Sequence, residues 1–170
     1  MIRLVTLQPY DPKQLERLTK ALYSAFGVGC EHAGEMELPS GIGNPVDAEQ
    51  LLDRAPRVLS YADDKVLYLT GARLKDRTLA SGTAPTSGFS RYGKDKAVVT
   101  SAVVKDFEQG HKTVTRHAMH QLGHLWELHH CLDPRCAMYP PWTLSYNSAE
   151  ATFCTFCREK SEQKLRDAKS

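Results

Sequence analysis

The sequence lacks a strong excess of charge of either sign. Its 22 lysine and arginine residues are balanced by 20 aspartate and glutamate residues, which gives a formal net charge of +2. Binding to nucleic acid or to an anionic membrane surface depends on a concentrated positive field, which this composition does not provide. We therefore expect no nucleic acid and no membrane among the partners of the protein.

Long hydrophobic runs are also missing. No stretch of 18 consecutive apolar residues occurs, so a membrane-spanning helix of the usual length is not expected. The residues that follow Met1 lack the pattern of a secretory signal peptide, and no internal repeat or linker is evident. With 41% hydrophobic and 25% charged residues, the composition is that of an ordinary globular protein. We predict one domain, residues 1–170, located in the cytoplasm.

Local patterns predict a fold that mixes strands with helices. Apolar or β-branched runs predict strands at residues 2–7, 36–38, 66–70 and 97–104. Residues 76–93 are rich in serine, threonine and glycine, which predicts a long loop with at most an irregular edge strand. The compact run at 66–70 is expected to be a central, buried strand.

Two helix starts are marked by capping residues. Asp11 and Pro12 have the residue types favoured at the N-cap and first turn, and this helix is expected to end near Gly27. Asp47 is expected to cap a second helix. That second helix is predicted to carry Leu51 and Leu52, and it could extend through Val58 and Leu59.

Three histidines in the pattern His-x3-His-x5-His give the strongest functional signal. His120 and His124 lie one turn apart on a predicted helix, so both imidazoles can reach one zinc ion at roughly 2.0–2.1 Å. His130 stands where a third ligand from beyond the helix is needed. Apolar residues at helical spacing define a separate face of the same helix: Val114, Ala118, Leu122 and Leu125. The histidine spacing and the separate apolar face agree with each other, which favours a metal site. The alternative is that His117, His129 and His130 are solvated histidines near a helix end.

Four cysteines follow in the pattern Cys-x4-Cys and Cys-x2-Cys: Cys131, Cys136, Cys154 and Cys157. In a reducing compartment this pattern favours a structural zinc held by four thiolates at roughly 2.3 Å over two disulfides. A helix from about residue 148 is predicted to carry the last two of them. Cys30 is left over, and we interpret it as a small buried thiol.

Together these residues resemble the metzincin zinc peptidases, whose signature is His-Glu-x-x-His-x-x-Gly-x-x-His followed by a methionine turn. The chain is most similar to the archaemetzincins, in which cysteine follows the third histidine directly and a Cys-x-Met turn lies downstream. Here these positions are Cys131 and Cys136-Ala137-Met138. The resemblance implies an α+β, metzincin-like zincin fold. It would have a mixed twisted sheet, an active-site helix within residues 1–126, and a small zinc-stapled C-terminal subdomain at 127–170.

The resemblance further implies a zinc-dependent metallopeptidase that hydrolyses peptide bonds in a peptide or protein substrate and carries two zinc ions per chain. His120, His124 and His130 would bind the catalytic zinc, and the four cysteines would bind the structural one. Met138 would form an apolar floor beneath the histidines. Tyr139 and Tyr146 could donate to an oxyanion, although packing is the commoner role of such aromatics. An edge strand within residues 78–92 would bind extended substrate, unless it is an ordinary surface loop.

Two positions depart from the family signature. Gln121 stands where the family has the glutamate that acts as general base, and an amide cannot accept that proton. Glu127 stands where the family has a glycine that ends the helix. On an uninterrupted helix Glu127 would return to the metal face, so it is a less favoured alternative base. The chain is therefore a weak or inactive peptidase, or a non-catalytic zinc-dependent peptide-binding protein, or a form in which glutamate was exchanged to trap a substrate.

Overall fold

The computed structural model of the chain describes residues 1–56, 58, 61, 63–77, 84–102, 107–140 and 151–167. Eight strands and four helices occur within these ranges. In chain order they are β1 (Ile2–Thr6), α1 (Pro12–Phe26), β2 (Cys30–Glu35), β3 (Val46–Asp47), α2 (Ala48–Arg54), β4 (Lys65–Thr70), β5 (Leu74–Asp76), β6 (Ala84–Thr86), β7 (Gly88–Ser90), β8 (Lys96–Thr100), α3 (Phe107–Leu125) and α4 (Thr155–Asp167).

A five-stranded mixed sheet forms the centre of the fold, with the strand order β2-β1-β4-β8-β7. The pairs β1–β2, β1–β4 and β4–β8 are parallel, whereas β7 runs antiparallel to β8. Strand β4 is central and almost wholly buried, as its apolar run predicts. A second sheet with the order β3-β5-β6 was not predicted, because its strands have only two or three residues each.

The sheet is buried on both faces. Leu4 and Leu67 belong to the core that packs against α1 and α3, and the neighbouring Val5 and Tyr68 belong to a separate core that contains α2. This division follows from the alternation of side chains along a strand. It also explains why the inner strands β4 and β8 are nearly continuous apolar runs. The predicted apolar stripe of α3, from Val114 to Leu125, is buried in the first core.

The capping residues act as predicted. The Asp11 carboxylate accepts a hydrogen bond from the Gln14 backbone N–H, and Gly27 ends α1 in the left-handed conformation at φ 64°. The Asp47 carboxylate likewise accepts from the backbone N–H of Gln50.

Several predicted boundaries are wrong. Helix α2 ends at Arg54, so Val58 lies outside it. The helix ends there because Pro56 follows Ala55, and the residue before a proline disfavours helical dihedral angles. Leu59 lies outside the described residues. The second strand is β2 and not residues 36–38, since β2 is a sheet edge with exposed polar residues and therefore lacks an apolar pattern.

The remaining differences lie near the metal helix. Strand β8 ends at Thr100 and not at 104, and residues 103–106 lie outside the described part of the chain. The long loop predicted at residues 76–93 is wrong in part, because it contains two short strands, β6 and β7. Each is an edge strand of its sheet, and β7 is the one that belongs to the five-stranded sheet. Helix α4 begins at Thr155, so Cys154 precedes the helix that was predicted to carry it. Among the described helices, none combines the length with the apolar composition that a membrane span requires. The division at residues 126 and 127 into two subdomains stays a prediction.

Candidate metal centres

Helix α3 and the turn after it bring three histidines together. The side-chain nitrogens of His120, His124 and His130 that could bind a metal all lie within 4.8 Å of one another. His120 is buried, His124 is half-buried and His130 is exposed, so one side of the cluster opens to solvent. This arrangement is that of a three-ligand site with an accessible fourth position.

Backbone carbonyl groups fix the orientation of two of these rings. His120 Nδ1 lies 2.8 Å from the carbonyl oxygen of Ala137, and His124 Nδ1 lies 2.9 Å from that of Leu128. Because a carbonyl oxygen only accepts, each Nδ1 must carry the hydrogen and donate it. Each Nε2 atom therefore presents a lone pair, and the two Nε2 atoms lie 3.0 Å apart. Two facing lone pairs repel unless a cation lies between them, so the site fits a zinc ion.

The protonation of the histidines agrees with metal binding. Burial lowers the pKa of His120 to about 3, and the neighbouring His124 adds to the effect. Burial also lowers the pKa of His124 and of His130. The three rings are therefore neutral near pH 7, which is the form that binds a metal.

The cysteines form a second cluster. Four sulfur atoms lie within 4.8 Å of one another, those of Cys131, Cys136, Cys154 and Cys157. None of the four forms a disulfide. Burial raises the pKa of Cys136 to about 11 and also raises the pKa of Cys157. Such thiols ionise at neutral pH only when a cation offsets the burial, which a tetrahedral zinc would do.

Backbone N–H groups point at the sulfur atoms of this cluster. Met138 and Cys154 each donate from the backbone to Cys136 Sγ at 3.4 Å, and Asp133 donates to Cys131 Sγ at the same distance. Such donors favour thiolates and orient them toward a metal. The four-cysteine cluster therefore fits a structural zinc better than it fits a set of buried thiols.

The two clusters share one short stretch of backbone. The carbonyl of Ala137 accepts from His120, the Ala137 N–H donates to the Thr152 carbonyl at 2.8 Å, and the Cys131 N–H donates to the Met138 carbonyl at 2.9 Å. Met138 is fully buried beneath α3. A Cβ atom on Gly123 would lie 2.4 Å from its sulfur, so the Met138 side chain packs directly on the backbone of α3 at Gly123. The segment that carries the cysteines thus also orients a histidine.

Gln121 is tied to the edge strand. Its side chain is 7% exposed, and its Oε1 accepts a hydrogen bond from Ser90 Oγ at 2.6 Å. A Cβ atom on Gly88 would come within 3.0 Å of Gln121 Cγ and within 2.9 Å of the Val98 carbonyl oxygen, so β7 approaches α3 closely only because Gly88 has no side chain. The side chain of Gln121 therefore lies at the contact between α3 and the edge strand β7.

Glu127 lies at the end of α3 and points elsewhere. It has a φ of 59°, a conformation that glycine adopts more readily, so the chain bends at the position where the family has glycine. Its exposed carboxylate forms an ion pair with Lys164 of α4. The hydrogen bond from Lys164 lowers the pKa of Glu127, and the positive charge of the same lysine adds to the effect.

Tyr139 follows Met138 and is half-buried, and its backbone N–H donates to the Cys136 carbonyl at 3.0 Å. Tyr146 lies outside the described residues.

Ser90 and Tyr92 were not predicted from the sequence. The hydroxyl of Tyr92 donates to the Glu127 carbonyl at 2.6 Å, and its ring stacks on His129. No local pattern marks either residue, because their partners lie more than 30 positions away.

Comparison with known proteins identifies the family. The sequence model of peptidase family M54 matches residues 46–163, which is more than half of the chain. No curated protein matches the chain. Among solved structures, an archaemetzincin from Methanopyrus kandleri is 26% identical, with a TM-score of 0.79 over 97% of this chain and 94% of that one.

Two further structures share the fold. An archaemetzincin from Archaeoglobus fulgidus, complexed with malonate, is 18% identical with a TM-score of 0.76, covering 94% of this chain and 99% of that one. A zinc-dependent peptidase from Methanocorpusculum labreanum is 20% identical, with a TM-score of 0.77. The match covers 95% of this chain and 100% of that one. These matches confirm the predicted α+β, metzincin-like fold. The chain belongs to peptidase family M54, the archaemetzincin family, and is by family a zinc metallopeptidase.

Proposed function

We propose that this metallopeptidase carries two zinc ions per chain and binds extended peptides in the cytoplasm, with hydrolysis that is weak or absent because Gln121 replaces the general base. The observation that carries the proposal is the distance of 3.0 Å between the Nε2 atoms of His120 and His124. His130 lies within reach of the same point and completes the set of three nitrogen ligands. A zinc ion bound there supplies a Lewis acid and lowers the pKa of a bound water.

Gln121 sets the level of activity in this proposal. Its Oε1 already accepts from Ser90, and its amide has no group that can take up a proton at neutral pH. The residue can hold a ligand by hydrogen bonding without acting as a base. Glu127 does not replace it in this proposal, since its carboxylate pairs with Lys164 on the solvent side.

The substrate would lie along β7. Among the described strands, β7 has β8 as its one neighbour, so its other edge can pair with an added strand. An extended peptide can pair with such an edge through its own backbone, which needs no particular sequence. Because Ser90 ends β7 and contacts Gln121, a peptide on this edge would run past the histidine cluster. We expect peptides or proteins as partners, and neither nucleic acid nor membrane.

The non-catalytic alternative keeps the same metal site and the same strand edge. No contact among the described residues favours it over a weak peptidase. The two differ only in whether hydrolysis can be restored at position 121.

The zinc-loaded protein is expected to bind a peptide hydroxamate, which ligates zinc without requiring a base. The matched variants are His130→Ala, which removes a proposed ligand, and His129→Ala, which removes the neighbour that stacks on Tyr92. We expect His130→Ala to weaken zinc binding at this site by about tenfold or more and to abolish hydroxamate binding. His129→Ala should retain both. Equal behaviour of the two variants in titration calorimetry and metal analysis would contradict the assignment of the site.

A further inference from the structure

The third histidine of the metal centre is presented by a turn and not by a helix. Helix α3 ends at Leu125, before the chain reaches His130. Within this turn Glu127 adopts a φ of 59°, a left-handed conformation that glycine reaches readily and that is unfavourable for a residue with a Cβ atom. A different conformation at Glu127 would redirect the backbone that leads to His130. Contacts that hold Glu127 in place therefore also determine where His130 lies.

Tyr92, in the turn between β7 and β8, makes such a contact. Its hydroxyl donates to the carbonyl oxygen of Glu127 at 2.6 Å, and the same hydroxyl lies 2.9 Å from His129 Nε2. Because a carbonyl oxygen only accepts, the single hydroxyl hydrogen is used at Glu127, and His129 must donate from Nε2. Tyr92 thus fixes a backbone group of the left-handed residue itself.

The residue after Tyr92 extends this contact to the end of α3. The Gly93 N–H donates to the carbonyl oxygen of His124 at 2.9 Å. A Cβ atom on Gly93 would lie 3.3 Å from Glu127 Oε1, so the backbone of the β7–β8 turn packs closely against the glutamate side chain. The β7–β8 turn therefore contacts the metal helix at His124 and the following turn at Glu127.

Two other contacts to the same turn do not act on its backbone. The ion pair between Lys164 and Glu127 joins side chains that are 43% and 46% exposed, and exposed ion pairs contribute little to stability. The His129 ring stacks on Tyr92, but the Tyr92 hydroxyl can donate to the Glu127 carbonyl without that ring. The hydrogen bond from Tyr92 is thus the side-chain contact that restrains the left-handed backbone directly.

We propose that Tyr92 is a positioning residue for the histidine metal centre: it holds Glu127 in the left-handed conformation and thereby presents His130 to the zinc ion. This inference rests on the histidine zinc site of the proposed function. Tyr92 acts through His130 and needs no contact with zinc or with substrate. Its hydrogen bond compensates for the glutamate that stands where the family signature has glycine.

The test compares zinc affinity at the histidines in the full-length parent and in Tyr92→Phe, by competition with a chromophoric chelator. The histidine component of the titration is the one that His130→Ala weakens. We expect Tyr92→Phe to lose about threefold or more in affinity there, since one hydrogen bond is worth a factor of roughly two to ten. Its far-UV circular dichroism should match that of the parent. Two controls, Tyr23→Phe at an exposed site of α1 and His129→Ala, should stay within about twofold.

Glu127→Gly supplies the second arm of the test, because glycine adopts the left-handed conformation without help from Tyr92. In that background Tyr92→Phe should change the zinc affinity by less than about 1.5-fold, a non-additivity that a general loss of stability would not produce. An equal loss in both backgrounds, or no loss in the parent background, would overturn the inference while the zinc site stands. A parent that binds no zinc at the histidines would contradict the proposed function and this inference together.

Discussion

Gln121→Glu is expected to raise peptide hydrolysis by about 10²-fold or more over the parent protein. A positioned general base contributes typically ~10²–10⁴-fold, and a carboxylate differs from the amide mainly in its ability to take up a proton. The site can accept the change without rearrangement, because Ser90 Oγ already donates to Oε1 of residue 121 and would donate equally to a carboxylate. The three histidines are unchanged, so the zinc content should be unchanged.

Initial rates on a broad peptide library, measured with equal zinc content, test this expectation. Glu127→Gln is the matched control: its carboxylate pairs with Lys164, so the exchange should leave the rate of the parent and of Gln121→Glu unaltered. Robust zinc-dependent cleavage by the parent that Glu127→Gln abolishes would show that Glu127 is the base. No gain in Gln121→Glu on any peptide would favour the non-catalytic peptide-binding protein.

Cys154→Ser should release the structural zinc and cost most of the stability of the C-terminal part of the chain. Residues 131–140 contain turns and a single isolated bridge, Cys136 to Thr152, in place of helices or strands. Binding of a structural zinc is worth roughly 10–16 kcal/mol in small zinc-binding domains, which is comparable to the whole stability of a typical protein domain. A segment with so little regular structure depends on that contribution.

Limited proteolysis and metal analysis measure the effect. We expect zinc to fall from two ions per chain to one or fewer in Cys154→Ser, with rapid cleavage after residue 130. We also expect weaker zinc binding at the histidines, because the Ala137 carbonyl that orients His120 belongs to the same segment. The control is Cys30→Ser, which removes a half-buried thiol of β2 outside the cluster and should keep both ions. A protease-resistant Cys154→Ser protein with full zinc would contradict the structural role of the cysteines.

The parts of the site that depend on local geometry could be predicted from the sequence. His120 and His124 are one helical turn apart wherever a helix forms, and the apolar residues from Val114 to Leu125 determine which face of that helix is buried. The caps at Asp11 and Asp47 are local for the same reason. The family resemblance added the fold, which the structural matches confirm.

The parts that depend on distant contacts could not be predicted. Ser90 meets Gln121 across 31 positions, and the carbonyl that orients His120 comes from Ala137, 17 positions away. Neither contact leaves a local pattern, since any polar side chain or any backbone carbonyl could occupy those positions in sequence. Strand β2 was missed for a related reason: as an exposed edge, it is stabilised by pairing with β1 and not by apolar side chains.

The most direct test of the two-zinc site is anomalous scattering from crystals of the protein, recorded on both sides of the zinc absorption edge. We expect two zinc peaks per chain, one bounded by His120, His124 and His130 and one bounded by the four cysteines. A single peak at the cysteines in zinc-replete crystals, with no peak among the histidines, would contradict the assignment of a catalytic metal centre.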